Sequence, residues 1–309
     1  MKYLRKFLTL ELVLLLIITL PTPAMALTIT PVNASPGSTL LAALLAPGSG
    51  ITVVPGSLQF VGRTTGGLEQ SATYTGFNLA PSGGGGATVT NPNGILLTSG
   101  HANMPNTNTT NSFSNALSQP GTGSNPDLAA LAGKSSFDQN FISFKFTVSS
   151  GNAVSAKFVF GSDEYPTQSV TDIFGFFVDG KNYAFFPGGA LVSNIPEANF
   201  QDNPVGSGRY ATEYNGITVS LLVNGLLDTA LTEHTILIAI SDTNDSIFDS
   251  GVFIGDLKST TTTGGGGIGG GDNATANIPT LQEWALLLMG LLLGGLVWRQ
   301  SQRNGRMSA

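Results

Sequence analysis

Two segments of this chain combine carboxylate and amide side chains at a spacing that suits the binding of a cation. The first spans residues 160–166 and is followed by Asp172, and the second spans residues 241–251. Each begins where an apolar, strand-like stretch ends. Because Ca²⁺ takes about six to eight oxygen ligands, many from side chains on tight loops, the two segments predict a calcium site. Its candidate ligands are Asp163, Glu164, Asp172, Asp242, Asn244, Asp245 and Asp249.

A second interpretation of the same residues stays open. The second segment is not an EF-hand loop, since Ile247 and Phe253 stand where that loop has Gly and Glu. Asp and Asn also cap the backbone of ordinary turns, without any metal. The sequence therefore predicts either a calcium site or a pair of polar turns at these two strand ends.

The sequence contains no clear pattern of catalytic residues. Ser99 and His101 lie two positions apart in a Gly-flanked turn, and nothing around them resembles a nucleophile elbow. Asp163 and Glu164 could in principle serve a glycosidase, but adjacent side chains on an extended chain diverge. No Cys cluster or His-x-x-x-His pair suggests zinc, and the glycine runs lack the setting of a phosphate loop. We expect no enzyme.

Composition narrows the possible partners. Residues 27–277 carry seven Lys/Arg and seventeen Asp/Glu, so this part of the chain has a net charge near −10. Such a balance argues against nucleic acid, which needs basic patches, and leaves cations as plausible ligands. The chain has 40 Gly and no Cys, so a folded body relies on its core or on bound metal rather than on disulfides.

The sequence on either side of the acidic segments predicts β-strands. Residues 142–148 alternate strictly between apolar and polar, which predicts a strand with one solvated face, whereas residues 157–161 predict an inner strand. Asp179-Gly180-Lys181 predicts a hairpin turn. The further predicted strands cover residues 51–54, 57–61, 94–98, 172–178, 182–186, 217–223, 235–241 and 251–257.

About ten strands with closely spaced turns predict an all-β domain, a two-sheet β-sandwich or jelly roll, over residues 27–257. One short N-terminal helix is expected over residues 38–45, with Ser38 as its cap, and one helical turn over residues 127–132. Residues 102–126 predict a long polar loop. Residues 258–277 are rich in Gly and Thr and predict a flexible linker.

Both ends of the chain carry targeting patterns. Residues 1–26 combine a basic start, an apolar stretch and an Ala-x-Ala site, which predicts a cleaved signal peptide; an uncleaved anchor is the alternative. Residues 278–309 begin with a short motif, continue as an apolar run and end with arginines. This order predicts a transmembrane segment at about 284–298 whose basic end faces the cytoplasm.

The motif of the C-terminal segment resembles the IPTL-CTERM sorting signal, a bacterial relative of the PEP-CTERM tails. The residues that carry the resemblance are Ile278, Pro279, Thr280, Leu281, Glu283 and Trp284. It implies an exosortase-type transpeptidase as a partner and a membrane-held precursor.

The body of the chain resembles the choice-of-anchor L domain. The resemblance rests on residues 94–100, 158–165, 172–177 and 239–254, together with residues 187–189 and 214–218. It implies a bacterial surface or secreted protein and leaves the biochemical role open.

These observations together predict an exported structural or adhesive module at the cell surface or in the extracellular matrix, with Ca²⁺ as an optional stabilising ligand. Two alternatives are a module that binds carbohydrate or another ligand, and an extracellular hydrolase. Exposed tyrosines beside the acidic segments would favour carbohydrate binding; the candidates are Tyr165, Tyr183, Tyr210 and Tyr214.

Overall fold

The computed structural model describes residues 26–83, 85–110, 121–166, 171–195 and 198–264, together with the backbone of residues 266–269. The predicted signal peptide, the sorting motif and the transmembrane segment at 284–298 lie outside these residues, apart from Ala26. Within the described part, no helix combines the length and the apolar character needed to cross a membrane. A first compact unit ends at Ile268, and the second begins at Gly269.

The described residues form an all-β domain with two short helices. In chain order the strands are β1 (Thr28–Pro31), β2 (Ile51–Val53), β3 (Gln59–Val61), β4 (Ser71–Thr75), β5 (Asn78–Leu79), β6 (Val89–Thr90), β7 (Asn93–Thr98), β8 (Ser136–Val148), β9 (Ala153–Ser162), β10 (Ile173–Val178), β11 (Lys181–Asn182), β12 (Phe200–Asp202), β13 (Gly216–Thr218), β14 (Leu221–Leu226), β15 (His234–Thr243), β16 (Ser250–Thr260) and β17 (Gly266–Gly269). The helices are α1 (Pro36–Leu44) and α2 (Pro126–Ala132).

Most of the strands belong to two sheets. The large sheet has the order β1-β4-β7-β16-β9-β13-β12, with β14 also beside β9 and β17 beside β14. The small sheet has the order β11-β10-β15-β8-β2, with β3 also beside β8. Strands β5 and β6 form a separate hairpin. The registers recorded within both sheets are antiparallel, so the predicted all-β class with two main sheets is confirmed.

One hydrophobic core lies between the two sheets. In β8, Ile142, Phe144 and Phe146 are buried in this core while Lys145 is exposed, as the alternation predicted. The large sheet contributes Phe158 and Phe160 of β9 from its inner face. Burial of apolar side chains from both sheets is what holds a two-sheet fold together.

The outer face of the large sheet is also covered. Val159 of β9 and Phe253 of β16 lie in a second apolar cluster with Tyr74, Tyr210 and Tyr214. Strands β9 and β16 are therefore buried on both faces, which explains why residues 157–161 are almost continuously apolar. On the small sheet, Leu128 of α2 takes part in a third, smaller cluster.

Several element boundaries differ from the predictions. Helix α1 begins at Pro36, after Ser35 in the left-handed region (φ 46°), and Ser38 donates to the Ser35 carbonyl from inside the helix instead of capping it. Helix α2 begins at Pro126, one residue before the predicted turn, because Asn125 caps it by accepting from the amides of Asp127 and Leu128, and the left-handed Gly133 (φ 65°) follows its last residue.

Two predicted strands are shorter or divided. Strand β11 ends at Asn182 and not at residue 186, although the two-residue turn before it, Asp179-Gly180, is confirmed. The predicted strand 217–223 is two strands, since β13 pairs with the end of β9 and β14 pairs with its beginning. Strand β16 runs on to Thr260, and β17 lies within the stretch expected to be a linker.

Candidate functional site

Both acidic segments connect one sheet to the other. Asp163 and Glu164 directly follow β9 of the large sheet, and Asp172 directly precedes β10 of the small sheet. Asp242 lies near the end of β15 of the small sheet, and Asp249 directly precedes β16 of the large sheet. Ser162 pairs with Ser250, and the amide of Asp163 donates to the Asp249 carbonyl at 3.1 Å. The antiparallel order thus brings the two connections together at one end of the domain.

The carboxyl groups at this end are buried. Asp172 and Asp242 have no exposed surface, and Glu164 is 1% exposed. Asp163 and Asp249 are also buried. Water therefore does not solvate these charges, and their ionisation must be compensated from within the protein.

A sixth carboxyl group joins this cluster from a segment that sequence reasoning did not single out. Glu213 is 1% exposed and lies between β12 and β13, and its carboxyl group faces that of Asp163. Asn215 fixes this segment by donating to the Asp163 carbonyl at 2.7 Å. We use the term carboxylate cluster for Asp163, Glu164, Asp172, Glu213, Asp242 and Asp249.

Several oxygen atoms of the carboxylate cluster lack a hydrogen-bond donor. Both carboxyl oxygens of Glu164, Asp172, Glu213 and Asp242 are buried without a bond of normal geometry. The hydroxyls of Ser250 and Ser99 approach Asp172 and Asp242 but do not close such a bond. Buried carboxylates normally accept several hydrogen bonds or bind a cation, so these four side chains are poorly compensated.

Burial raises the pKa of every cluster carboxyl group whose shift is resolved. Loss of solvation is the largest cause, and it raises the pKa of Glu164 to about 8 and that of Glu213 to about 8. For Asp163, Asp172 and Asp242 the pKa is well above its usual range, first through burial and then through neighbouring carboxylates. The charged neighbours that act on these groups are all acidic and raise their pKa values further, whereas side-chain hydrogen bonding to Asp172 lowers the pKa of Glu164 and that to Asp163 lowers the pKa of Glu213.

Two of the predicted ligands belong to the turn and not to the buried cluster. Asn244 is exposed and adopts a left-handed conformation (φ 75°). Asp245 is half-buried, and its Oδ1 accepts from the amide of Ile247 at 3.3 Å. For these two positions the turn interpretation describes the local structure.

The carboxylate cluster does not form a closed coordination shell. As the side chains stand, no three Asp, Glu, His or Cys residues of the described segments converge in the manner of ligands to one metal ion. The donor atoms are all oxygen, which is the set that Ca²⁺ prefers. Cation binding would require these side chains to rotate toward a shared position.

The other residues considered for catalysis are also buried. Ser99 is fully buried, and its Oγ accepts from the amide of Ser250 at 3.0 Å. His101 is 3% exposed, and burial lowers its pKa, opposed by the nearby Glu69. Asp163 faces Glu213 whereas Glu164 faces Asp172, so the adjacent carboxylates diverge as the sequence predicted.

The described residues thus form an all-β domain of two main sheets with a buried carboxylate cluster at one end, and comparison with known proteins gives the family. Residues 62–259 match the Choice-of-anchor L domain, so the chain belongs to that family. Residues 276–303 match the IPTL-CTERM motif. The two matches together indicate an exported protein that is anchored at the cell surface. No curated protein matches the chain, and no solved structure does.

Proposed function

We propose that this protein is a bacterial surface or matrix module with a structural or adhesive role, and that Ca²⁺ bound by the carboxylate cluster stabilises its β-sandwich. The observation that carries the calcium proposal is that both carboxyl oxygens of Glu164, Asp172 and Asp242 are buried without a hydrogen bond of normal geometry where β9, β10, β15 and β16 meet. The IPTL-CTERM tail supports a membrane-held precursor that an exosortase-like enzyme processes.

The energetic cost of buried charge favours a bound cation. Burying an ionised, unpaired carboxylate costs several kcal/mol, whereas a whole domain is stable by only about 5–15 kcal/mol. The carboxylate cluster therefore cannot stay fully ionised without compensation. Protons can neutralise it, but a divalent cation does so without the cost of protonating acids near neutral pH. Calcium is favoured over zinc because the available donors are oxygens.

The proposed role is not enzymatic. Asp163 and Glu164 are 2% and 1% exposed, so a polymeric substrate cannot reach them. Ser99 is also buried, directly after β7, where its Oγ accepts a hydrogen bond from the amide of Ser250 at the start of β16. We expect no hydrolase activity on polysaccharide or ester substrates.

Carbohydrate binding is the alternative that an experiment must separate from this proposal. Tyr210 and Tyr214 are buried in the outer cluster, and Tyr183 is 6% exposed, so these three rings offer little surface for stacking on sugars. Tyr165 stacks on Phe200 at 4.6 Å and donates to Asp202. Retention on a panel of immobilised polysaccharides would favour the alternative over a purely structural role.

The calcium proposal is tested by thermal unfolding of protein purified from its host and stripped of metal. A ligand at about 100 times its Kd stabilises by about 2.7 kcal/mol, which for a domain of this size raises Tm by about 5–10 °C. We expect this rise with Ca²⁺, its reversal by chelator, and a much smaller effect of Mg²⁺ at equal ionic strength. An unchanged Tm on adding Ca²⁺ would remove the metal from the proposal.

The location is tested separately by cell fractionation with intact-mass analysis. We expect the protein in the envelope or the medium, without residues 1–26, and with a C-terminus shortened near Ile278 if the tail is processed. Full-length protein in the cytosol would contradict the export proposal, whatever the calcium result.

A further inference from the structure

We propose that this domain binds a small monocarboxylate with an apolar body in a pocket beside α2, and that Lys134 selects the carboxylate. We use the term α2 pocket for this cavity, which lies between the end of α2, the start of β10 and residues 190–195. The inference goes beyond the structural role proposed above and does not depend on the calcium site.

The α2 pocket has the size of a small ligand and an open rim. Its volume is about 250 Å³. An apolar cavity of about 150 Å³ takes benzene, so this pocket accommodates a body of about eight to ten non-hydrogen atoms. Lys134, Ala190 and Ile195 line it and are exposed, so a ligand can enter from solvent.

The walls of the α2 pocket are mostly apolar. Five of its eight lining residues are apolar, namely Ala132, Ile173, Ala190, Leu191 and Ile195. Ile195 is 54% exposed, which is the largest exposure among the large apolar side chains of the described residues. An apolar ligand would remove this rim and the walls from water, which is the main source of affinity in such pockets.

Lys134 gives the α2 pocket a charge opposite to that of the domain. Residues 27–277 have a net charge near −10, yet none of the described residues that line the pocket is Asp or Glu. The Lys134 Nζ donates to Thr171 Oγ1 at 3.3 Å, and no carboxylate of the described residues pairs with it. The pocket therefore presents a cation to a ligand carboxylate beside an apolar wall.

Hydrogen bonds fix one wall of the α2 pocket to the small sheet. The amide of Phe174 in β10 donates to the Val192 carbonyl at 3.1 Å, and Ile173 forms an antiparallel bridge with Ser193. Residues 190–195 are thus attached to β10 without a ligand. A wall that is already ordered costs the ligand little affinity on binding.

The test compares three probes that share one alkyl chain and differ in the charge of the head group. Octanoate, with about ten non-hydrogen atoms, matches the volume of the pocket. Protein purified from its host is titrated by calorimetry near neutral pH, with chelator present to remove any contribution of Ca²⁺. We expect a Kd between about 10 μM and 1 mM for octanoate, at least about tenfold weaker binding of octanol, and no binding of octylammonium.

The order of the three probes is informative because the acidic domain as a whole attracts octylammonium and repels octanoate. Failure of all three to bind the wild type would overturn the ligand site and leave the calcium proposal untouched. Equal affinities for octanoate and octanol, or a preference for octylammonium, would overturn the role of Lys134. These outcomes need only the wild type, so they stay decisive even if a variant fails to fold.

Three variants locate the binding site. Lys134→Met keeps an apolar chain of similar length without the charge and should weaken octanoate at least about tenfold, to the level of octanol. Lys145→Met is the matched control, because Lys145 is exposed on β8 and does not line the pocket, so octanoate binding should be unchanged. Ala190→Trp fills the pocket from its exposed rim and should abolish binding of both probes. Unchanged octanoate binding in Lys134→Met or in Ala190→Trp would overturn the assignment to the α2 pocket.

Discussion

At the scale of single residues, the behaviour of this domain depends on carboxyl groups that are buried where solvation is lost. Asp242 is one such residue. The pairing of β15 with β8 shifts in register between Ile240 and Asp242, next to Asp138 of β8, which has a left-handed backbone (φ 50°). The Asp242 carboxyl group has no exposed surface and no hydrogen bond of normal geometry. A neutral side chain of the same shape should therefore be tolerated better than the carboxylate when no cation is bound.

We predict that Asp242→Asn separates these two contributions. In chelator the variant should be more stable than the wild type by about 1–2 kcal/mol, because the cost of burying a charge disappears. In Ca²⁺ it should lose most of the calcium-dependent rise in Tm, because the amide is a weaker ligand. Thermal unfolding of both proteins in the two buffers measures both effects.

Asp228→Asn is the control for this change. Asp228 is exposed and accepts a bond from the Ala230 amide in a turn, so both effects should be within about 0.5 kcal/mol of zero. A variant at Asp242 that keeps the full calcium response would contradict its role as a ligand.

At the scale of elements, glycines in two adjacent strands make room for the ring that anchors the segment 203–215. A Cβ atom at Gly161 of β9 would lie 2.4 Å from the Tyr214 ring, and one at Gly251 of β16 would lie 2.0 Å from its hydroxyl oxygen. Tyr214 is fully packed there, at 1% exposure. The close approach of this ring to the sheet backbone positions the neighbouring Glu213 against Asp163.

We predict that Gly161→Ala destabilises the domain by about 1–3 kcal/mol, because the added methyl group forces Tyr214 away from the sheet. Gly188→Ala is the matched control, because a Cβ atom there meets no atom within 4 Å. Equal stabilities of the two variants in chemical denaturation would show that the close approach is unimportant.

At the scale of the whole molecule, the carboxylate cluster joins the two sheets at one end and makes stability depend on solution conditions. Two of the connections between the large and the small sheet, from β9 to β10 and from β15 to β16, pass through it. The charge state of these carboxyl groups therefore affects how firmly the two sheets are held together. Protons and divalent cations compete for the same oxygens, so pH and calcium should act on stability together.

We predict that, without calcium, the domain becomes less stable as pH rises from about 5 to 8. Glu164 and Glu213 each have a pKa near 8 in the folded protein, raised first by burial from about 4.5. The folded state thus binds protons more tightly than the unfolded chain. The stabilisation this provides is complete below about pH 4.5 and is lost as pH rises through 8.

Calcium should reverse much of this trend, because it binds the ionised carboxylates. The rise in Tm produced by Ca²⁺ is expected to be larger at pH 8 than at pH 5. Thermal unfolding at both pH values, with and without the ion, measures the two slopes. A calcium-free domain that gains stability between pH 5 and 8 would contradict the uncompensated burial of these groups.

Sequence periodicity predicted the parts of the fold that depend on neighbouring residues. The alternation around Phe144 predicted the inward face of β8, and Asp179-Gly180 predicted the turn that joins β10 and β11. The boundaries of α1 and the division of residues 217–223 into two strands were not predicted. Those features follow from where each backbone segment finds its hydrogen-bond partner, which local composition does not specify.

For the candidate site, the sequence by itself determined that acidic side chains follow the ends of apolar strands, because strand ends and turn residues are local features. It could not separate Asp242 and Asp172, which are buried, from Asn244 and Asp245, which belong to the turn surface. Only the tertiary structure brought Glu213 against Asp163, fifty positions earlier in the chain. Burial and contacts between distant residues are properties of the folded chain, and they decide which of its many carboxylates are left without solvent.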